Sequence, residues 1–167
     1  MPVFLIGYMG SGKTTLGRAL SERLNWHFLD LDSLIEHKMG MSTIDAFELH
    51  GEQHFRSIEK QVLRQYQFDA NMIIATGGGT PCFHDNMDYM NKIGYTMYLK
   101  VTSREILSRL ELNTKRPLIL DNKLNLKEFV TQQMFHRESY YLKSIAKIES
   151  DNISVDDLLP MINQPHE

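Results

Sequence analysis

The segment Gly7-Tyr8-Met9-Gly10-Ser11-Gly12-Lys13-Thr14 fits the pattern G-x-x-x-x-G-K-[ST]. Its glycines let backbone N–H groups converge on phosphate oxygens, and a helix that follows points its positive end at the same place. Lys13 is expected to reach the outer phosphates of a nucleotide, and the Thr14 hydroxyl to ligate Mg²⁺. Gly10, Ser11, Gly12, Lys13, Thr14 and Thr15 form the expected nucleotide contact set.

Three further groups carry chemistry. Asp30-Leu31-Asp32 closes an apolar run, and strand alternation predicts both carboxylates on one side. One suits Mg²⁺, and the other suits orienting an acceptor hydroxyl and taking its proton. Helix capping is the plainer use, since Ser33-Leu34-Ile35-Glu36 reads as a capping box. Thr76-Gly77-Gly78-Gly79-Thr80 follows the most apolar run, and three glycines in a row point to close approach of a ligand or to a tight turn. Of eight arginines, Arg56 lies between the second and third apolar runs, Arg109 and Arg116 lie just before and within a basic loop at 111–123, and Arg137 lies in the helical pattern that starts at Leu126. Each alone reads as a surface ion pair, with Arg56–Glu59 at helical i,i+3 spacing. As a set they suit a carboxylate and a transferring phosphoryl group.

The elements that must position these residues alternate. Pro2–Ile6, His27–Asp30, Met72–Thr76 and Tyr95–Val101 read as strands, and Ile145–Ser150 as a polar fifth. A helical pattern follows the glycine-rich segment, with Leu16, Ala19, Leu20 and Leu24 on one face, and others fall at 33–39, 43–66, 84–93, 103–112, 126–147 and 155–162. Gly40 and Gly51 read as helix stops. The alternation predicts a three-layer α/β/α fold with a central, five-stranded parallel sheet. Residues 33–60 read as a helical insertion and 111–123 as a loop with a basic centre, the places where an acceptor pocket and a lid are built.

Composition narrows the function classes. With 167 residues, 42% hydrophobic and 23% charged, the chain fits one soluble domain with a core. A net charge of −3 argues against a generic partner for nucleic acid or an anionic membrane. Cys82 is the single cysteine, which excludes an intrachain disulfide and reads as an inert thiol. His50 and His54 stand at i,i+4, with Gly51 expected to break the helix between them. Met87, Met90 and Met97 read as core. No run has signal-peptide or transmembrane character, and a cytoplasmic monomer is expected.

Taken together, these segments resemble the shikimate kinases, of the nucleoside-monophosphate-kinase-like P-loop fold. The resemblance rests on Gly7–Thr14, Phe28–Asp32, Gly51-Glu52 with Phe55-Arg56 and Glu59, Thr76–Gly79, Arg116-Pro117-Leu118, and Arg137 followed by Tyr140 or Tyr141. It implies transfer of the γ-phosphoryl group of ATP to the 3-hydroxyl of shikimate in aromatic amino-acid biosynthesis, with one Mg²⁺ per subunit. It further implies Asp32 as the base, with Lys13 and Arg116 neutralising phosphate charge and Asp30 supporting Mg²⁺ beside Thr14. Arg56 and Arg137 would clamp the shikimate carboxylate, with Gly78 and Gly79 along the ring and Glu59 holding Arg56. Arg109 would lie against adenine, near a loop within 150–154. Residue chemistry without the resemblance reaches only a small acceptor bearing a hydroxyl and a negative charge. Gluconate kinase, a nucleoside-monophosphate kinase and a catalytically dead nucleotide-binding module are the alternatives.

Overall fold

The computed structural model describes residues 1–112 and 125–162. Among these residues five strands, all parallel, make one sheet: β1 (Val3–Ile6), β2 (His27–Asp30), β3 (Met72–Ala75), β4 (Tyr95–Lys100) and β5 (Ala146–Glu149), in the order β2-β3-β1-β4-β5. The helices are α1 (Lys13–Leu24), α2 (Leu31–Met39), α3 (Thr43–Gln65), α4 (Asn86–Ile93), α5 (Ser103–Leu112), α6 (Leu126–Tyr141) and α7 (Val155–Ile162). A short 3₁₀ turn, Thr80–Cys82, follows β3.

Alternation along the strands divides the core into two layers. Phe4 and Ile6 of β1 join Ile74 and Tyr98 on one face, packed against α2 to α6 through Ile35, Leu63, Met90, Ile106 and Val130. Val3 and Leu5 join Ile73, Met97 and Leu99 on the other face, against Leu20 of α1 and Leu158 of α7. Both faces of the central strands are thus covered, which is why β1 and β3 are apolar at every position. The edge strand β5 alternates half-buried Ala146 and Ile148 with exposed Lys147 and Glu149, and so reads as polar.

The expected architecture is present, with local corrections. The 126–147 helix stops at Tyr141, because Ser144 and Ile145 lead into β5: the Thr96 hydroxyl accepts from Ile145 N at 2.9 Å. The buried stripe of α1 is Gly17, Leu20 and Ser21, and Ala19 is exposed. Gly17 packs so closely on Phe28 that a methyl group there would lie 2.7 Å from its ring. α2 begins three residues earlier than the capping box predicts, with Asp30 rather than Ser33 as its N-cap. Asp30 caps it by accepting from Ser33 N at 3.3 Å, while Glu36 accepts from both N and Oγ1 of Thr43 at 2.7 Å and ties α2 to α3. Gly51 sits inside α3 at φ 78° and ψ 163°, a left-handed kink, and the rings of His50 and His54 on either side of it in sequence meet at 5.0 Å. Met87, Met90 and Met97 are buried.

Candidate active site

The loops after β1, β2 and β3 emerge together at the carboxyl end of the sheet, where open α/β sheets bind ligands. The loop after β1 turns into α1 at Gly12, whose φ of 95° suits glycine alone. Lys13 folds over this loop, and Nζ donates to the carbonyls of Gly7 and Tyr8 at 2.8 Å each. Ser11 Oγ is buried and has no hydrogen-bond partner among the described residues. An orphaned hydroxyl inside a glycine-rich cradle at a helix N-terminus fits a phosphate oxygen.

Thr14 Oγ1 donates to Asp30 Oδ2 at 2.9 Å. These two hard oxygen donors beside a phosphate cradle fit Mg²⁺, which takes one or two protein oxygens and completes its shell from phosphates and water. No group of three or more His, Cys, Asp or Glu side chains among the described residues is placed to hold a metal ion.

Asp32 is not on the strand, as alternation predicts, but in the first turn of α2. It nevertheless shares a cleft with Asp30, because the helix begins directly at the strand end. Burial, then the carboxylates of Asp30 and Glu59, push the Asp32 carboxyl up to about 6, against the pull of Lys13 and Arg56. Gly77 packs on it: a methyl group at Gly77 would fall 2.5 Å from Asp32 Oδ1.

Two clefts meet at this carboxylate. One, of about 460 Å³, runs from the phosphate loop past Thr14, Thr15 and Asp30 to Arg109 and Ile153. Arg109 closes its far end, donating to Gly10 O at 3.0 Å, to Asp151 O at 2.5 Å and to Glu105 at 2.7 Å. Asp151 in turn accepts from Thr102 N and Oγ1 at 2.8 and 2.9 Å, and Thr102 Oγ1 caps α5 by accepting from Glu105 N at 3.3 Å. The 150–154 segment is therefore fastened to the phosphate loop.

The second cleft, of about 730 Å³, is lined by Arg56, Arg137, Gly77–Gly79, Phe47, Phe83 and Tyr140. Arg56 is buried although charged, at 8% exposure. Its Nη1 donates to both oxygens of the fully buried Glu59 at 3.2 and 3.0 Å, and Thr80 Oγ1 donates to the same carboxylate at 2.6 Å. Arg137, half-buried on α6, lies over the Tyr8 ring at 5.4 Å. Successive glycines face the two guanidinium groups: a methyl group at Gly78 would lie 3.6 Å from Arg137 Nη1, and one at Gly79 would lie 2.7 Å from Arg56 Cζ. Tyr141 Oη donates to Gly78 O at 2.6 Å and fixes the glycine loop from α6. Burial pushes the Cys82 thiol in this cleft up to about 11, consistent with an unreactive side chain.

The structure thus brings together all the predicted site residues it describes. Arg116, and the 111–123 segment beyond Leu112, lie outside the described residues. Sequence reasoning missed Thr80 as a partner of Glu59, Phe83 over Arg56, and the Asp151–Arg109 tie. Their partners lie 21 to 42 residues away, and no local pattern announces them.

The comparisons with known proteins agree. The family model for shikimate kinase matches residues 9–160. A shikimate kinase of Azobacteroides pseudotrichonymphae is 41% identical over 96% of this chain and 98% of its own. The crystal structure of shikimate kinase from Bacteroides thetaiotaomicron superposes with a TM-score of 0.92 at 34% identity, covering 98% of this chain and 99% of that one. The shikimate kinase from Acinetobacter baumannii in complex with shikimate gives 0.86 at 32% identity, covering 96% of this chain and 89% of that one. A chain matched by the family model over residues 9–160 and aligned with these proteins almost end to end has its family fixed: it belongs to the shikimate kinase family.

Proposed function

We propose that this ATP-dependent kinase phosphorylates the 3-hydroxyl of shikimate, giving shikimate 3-phosphate and ADP. One observation carries the assignment of roles. Asp32 stands where the phosphate-loop cleft meets the cleft holding Arg56 and Arg137, so one carboxylate touches both the donor and the acceptor side.

Each residue then has a task. Arg56 and Arg137 take the acceptor's carboxylate, since two guanidinium groups beside a bare glycine backbone suit a small planar anion. Gly78 and Gly79 let the ring approach the backbone. Asp32, with its carboxyl near 6, is mostly ionised at neutral pH and still basic enough to accept the hydroxyl proton. The freed oxygen attacks the γ-phosphorus, the bond to the bridging oxygen breaks, and ADP leaves with that electron pair. Lys13 lets go of its loop carbonyls to meet the β- and γ-phosphates, and Arg109 flanks the base. Thr14 and Asp30 would hold Mg²⁺, which when bound neutralises phosphate charge. Arg116 completes that neutralisation from the 111–123 lid, and residues 33–60 form the acceptor-binding insertion. A cytoplasmic monomer completes the reading; no helix among the described residues is long and apolar enough to cross a membrane.

The test is coupled ADP release with MgATP and a panel of shikimate, gluconate, AMP and no acceptor. Turnover with shikimate alone is expected. Turnover with another acceptor would retain the kinase and discard the arginine clamp. ATP binding without turnover on any acceptor would point to a nucleotide-binding module.

A further inference from the structure

Arg56 has little freedom to turn. Phe83 covers its guanidinium at 4.2 Å, the rings of Phe55 and Phe47 stand at 5.3 and 5.5 Å, and Gly79 packs against it. An incoming carboxylate therefore meets it at an edge, and carboxylates already hold two of its edges. Nη1 donates to Glu59, while Nε and Nη2 donate to Glu52 Oε1 at 3.3 and 3.1 Å.

The two partners are not equivalent. Glu59 has no exposed surface and is also bound by Thr80, so pulling it from Arg56 would strand a buried charge. The Glu52 side chain is 52% exposed, lines the acceptor cleft, and follows the Gly51 kink, so it can swing into water at little cost. The edge it holds, Nε with Nη2, is one on which a guanidinium receives a carboxylate bidentately.

We infer that Glu52 is an internal competitor for the acceptor's carboxylate. It holds the Nε–Nη2 edge of Arg56 until the acceptor displaces it, and so tunes acceptor affinity by exchange. This rests on the reading of Arg56 as part of the carboxylate clamp. Arg56 stays paired throughout, and acceptor binding includes the release of one ion pair whose acidic partner is exposed. Glu52 touches Arg56 rather than the reacting atoms, so its mark is on affinity and not on the chemical step.

The experiment compares wild type, Glu52→Gln and Glu48→Gln in ADP release and in calorimetric titration with shikimate. Glu48 is exposed, stands one turn earlier and makes no hydrogen bond to Arg56. Glu52→Gln is expected to lower the KM and Kd for shikimate about two- to fivefold, the scale of an ion pair with one partner in water, while leaving kcat and the KM for ATP unchanged. Glu48→Gln should change none of these. An unchanged or raised shikimate KM in Glu52→Gln would overturn the exchange, and a rise would make Glu52 an aligner of Arg56. An equal gain in Glu48→Gln would also overturn it, as diffuse charge. A wild-type enzyme without turnover on shikimate would instead overturn the reading beneath it.

Discussion

Replacing Asp32 by asparagine keeps the size of the side chain and removes one carboxyl that is costly to ionise. In the folded chain this carboxyl holds its proton to about 6, against 3.8 ordinarily. Every tenfold gain in proton affinity is worth about 1.36 kcal/mol, so ionising Asp32 in the native state costs about 2–3 kcal/mol. The native state binds this proton more tightly than the unfolded chain, so its stability falls as pH rises from about 4 to about 6 and stays lowered above that. Asp32→Asn escapes the loss. It should match wild type at about pH 4 and exceed it by about 2–3 kcal/mol at about pH 7.5. For a domain of this length that corresponds to about 5–10 °C in Tm. Denaturant titrations and thermal melts of both proteins across this range measure it. ADP release by the same variant should fall by about 10²-fold or more, the typical share of a general base. A variant no more stable than wild type at neutral pH, or more stable by the same amount at both pH values, would refute the electrostatic reasoning. Normal turnover would refute the role of Asp32 as base.

Other perturbations test separate parts of the site. Gly79→Ala puts a methyl group 2.7 Å from Arg56 Cζ, with no backbone strain at φ −90°; it should raise the KM for shikimate about tenfold to a hundredfold through misplacement of the guanidinium, with the KM for ATP little changed. Arg109→Ala removes the bonds to Gly10 and Asp151 and should raise the KM for ATP about tenfold while sparing shikimate, as separate titrations of the two substrates would show. Gly17→Ala crowds the Phe28 ring at 2.7 Å and should lower stability by about 1–3 kcal/mol in denaturant unfolding without changing the KM for either substrate.

What the sequence makes legible here is what chemistry writes locally. The phosphate loop is a run of eight residues whose backbone geometry follows from its own glycines. The central strands are apolar throughout because helices cover both faces. Gly40 and Gly51 mark a helix end and a kink because their backbone takes positive φ. Misreadings arise where two local rules compete. The box at Ser33 and the acid at Asp30 both favour a helix start, and Asp30 wins because β2 ends at that residue. At the end of α6, apolar periodicity carries past Tyr141, while pairing with β4 turns Ala146–Glu149 into a strand. Long-range polar ties stay hidden from a single chain: Glu59 with Thr80, Tyr141 with Gly78, and Asp151 with Thr102 are ordinary residues until the sheet order brings them together.

Met9, Asp32 and Gly78 line both clefts, so the partition between donor and acceptor chambers is a single layer of residues, one of them without a side chain. A molecule that joined a phosphate-mimicking arm to a small carboxylate-bearing ring could therefore occupy both chambers with a short tether. Joining the arms makes the second binding event intramolecular, at an effective concentration on the order of millimolar for a short flexible tether. Two fragments that each bind weakly alone become a tight bisubstrate inhibitor through the thinness of one wall.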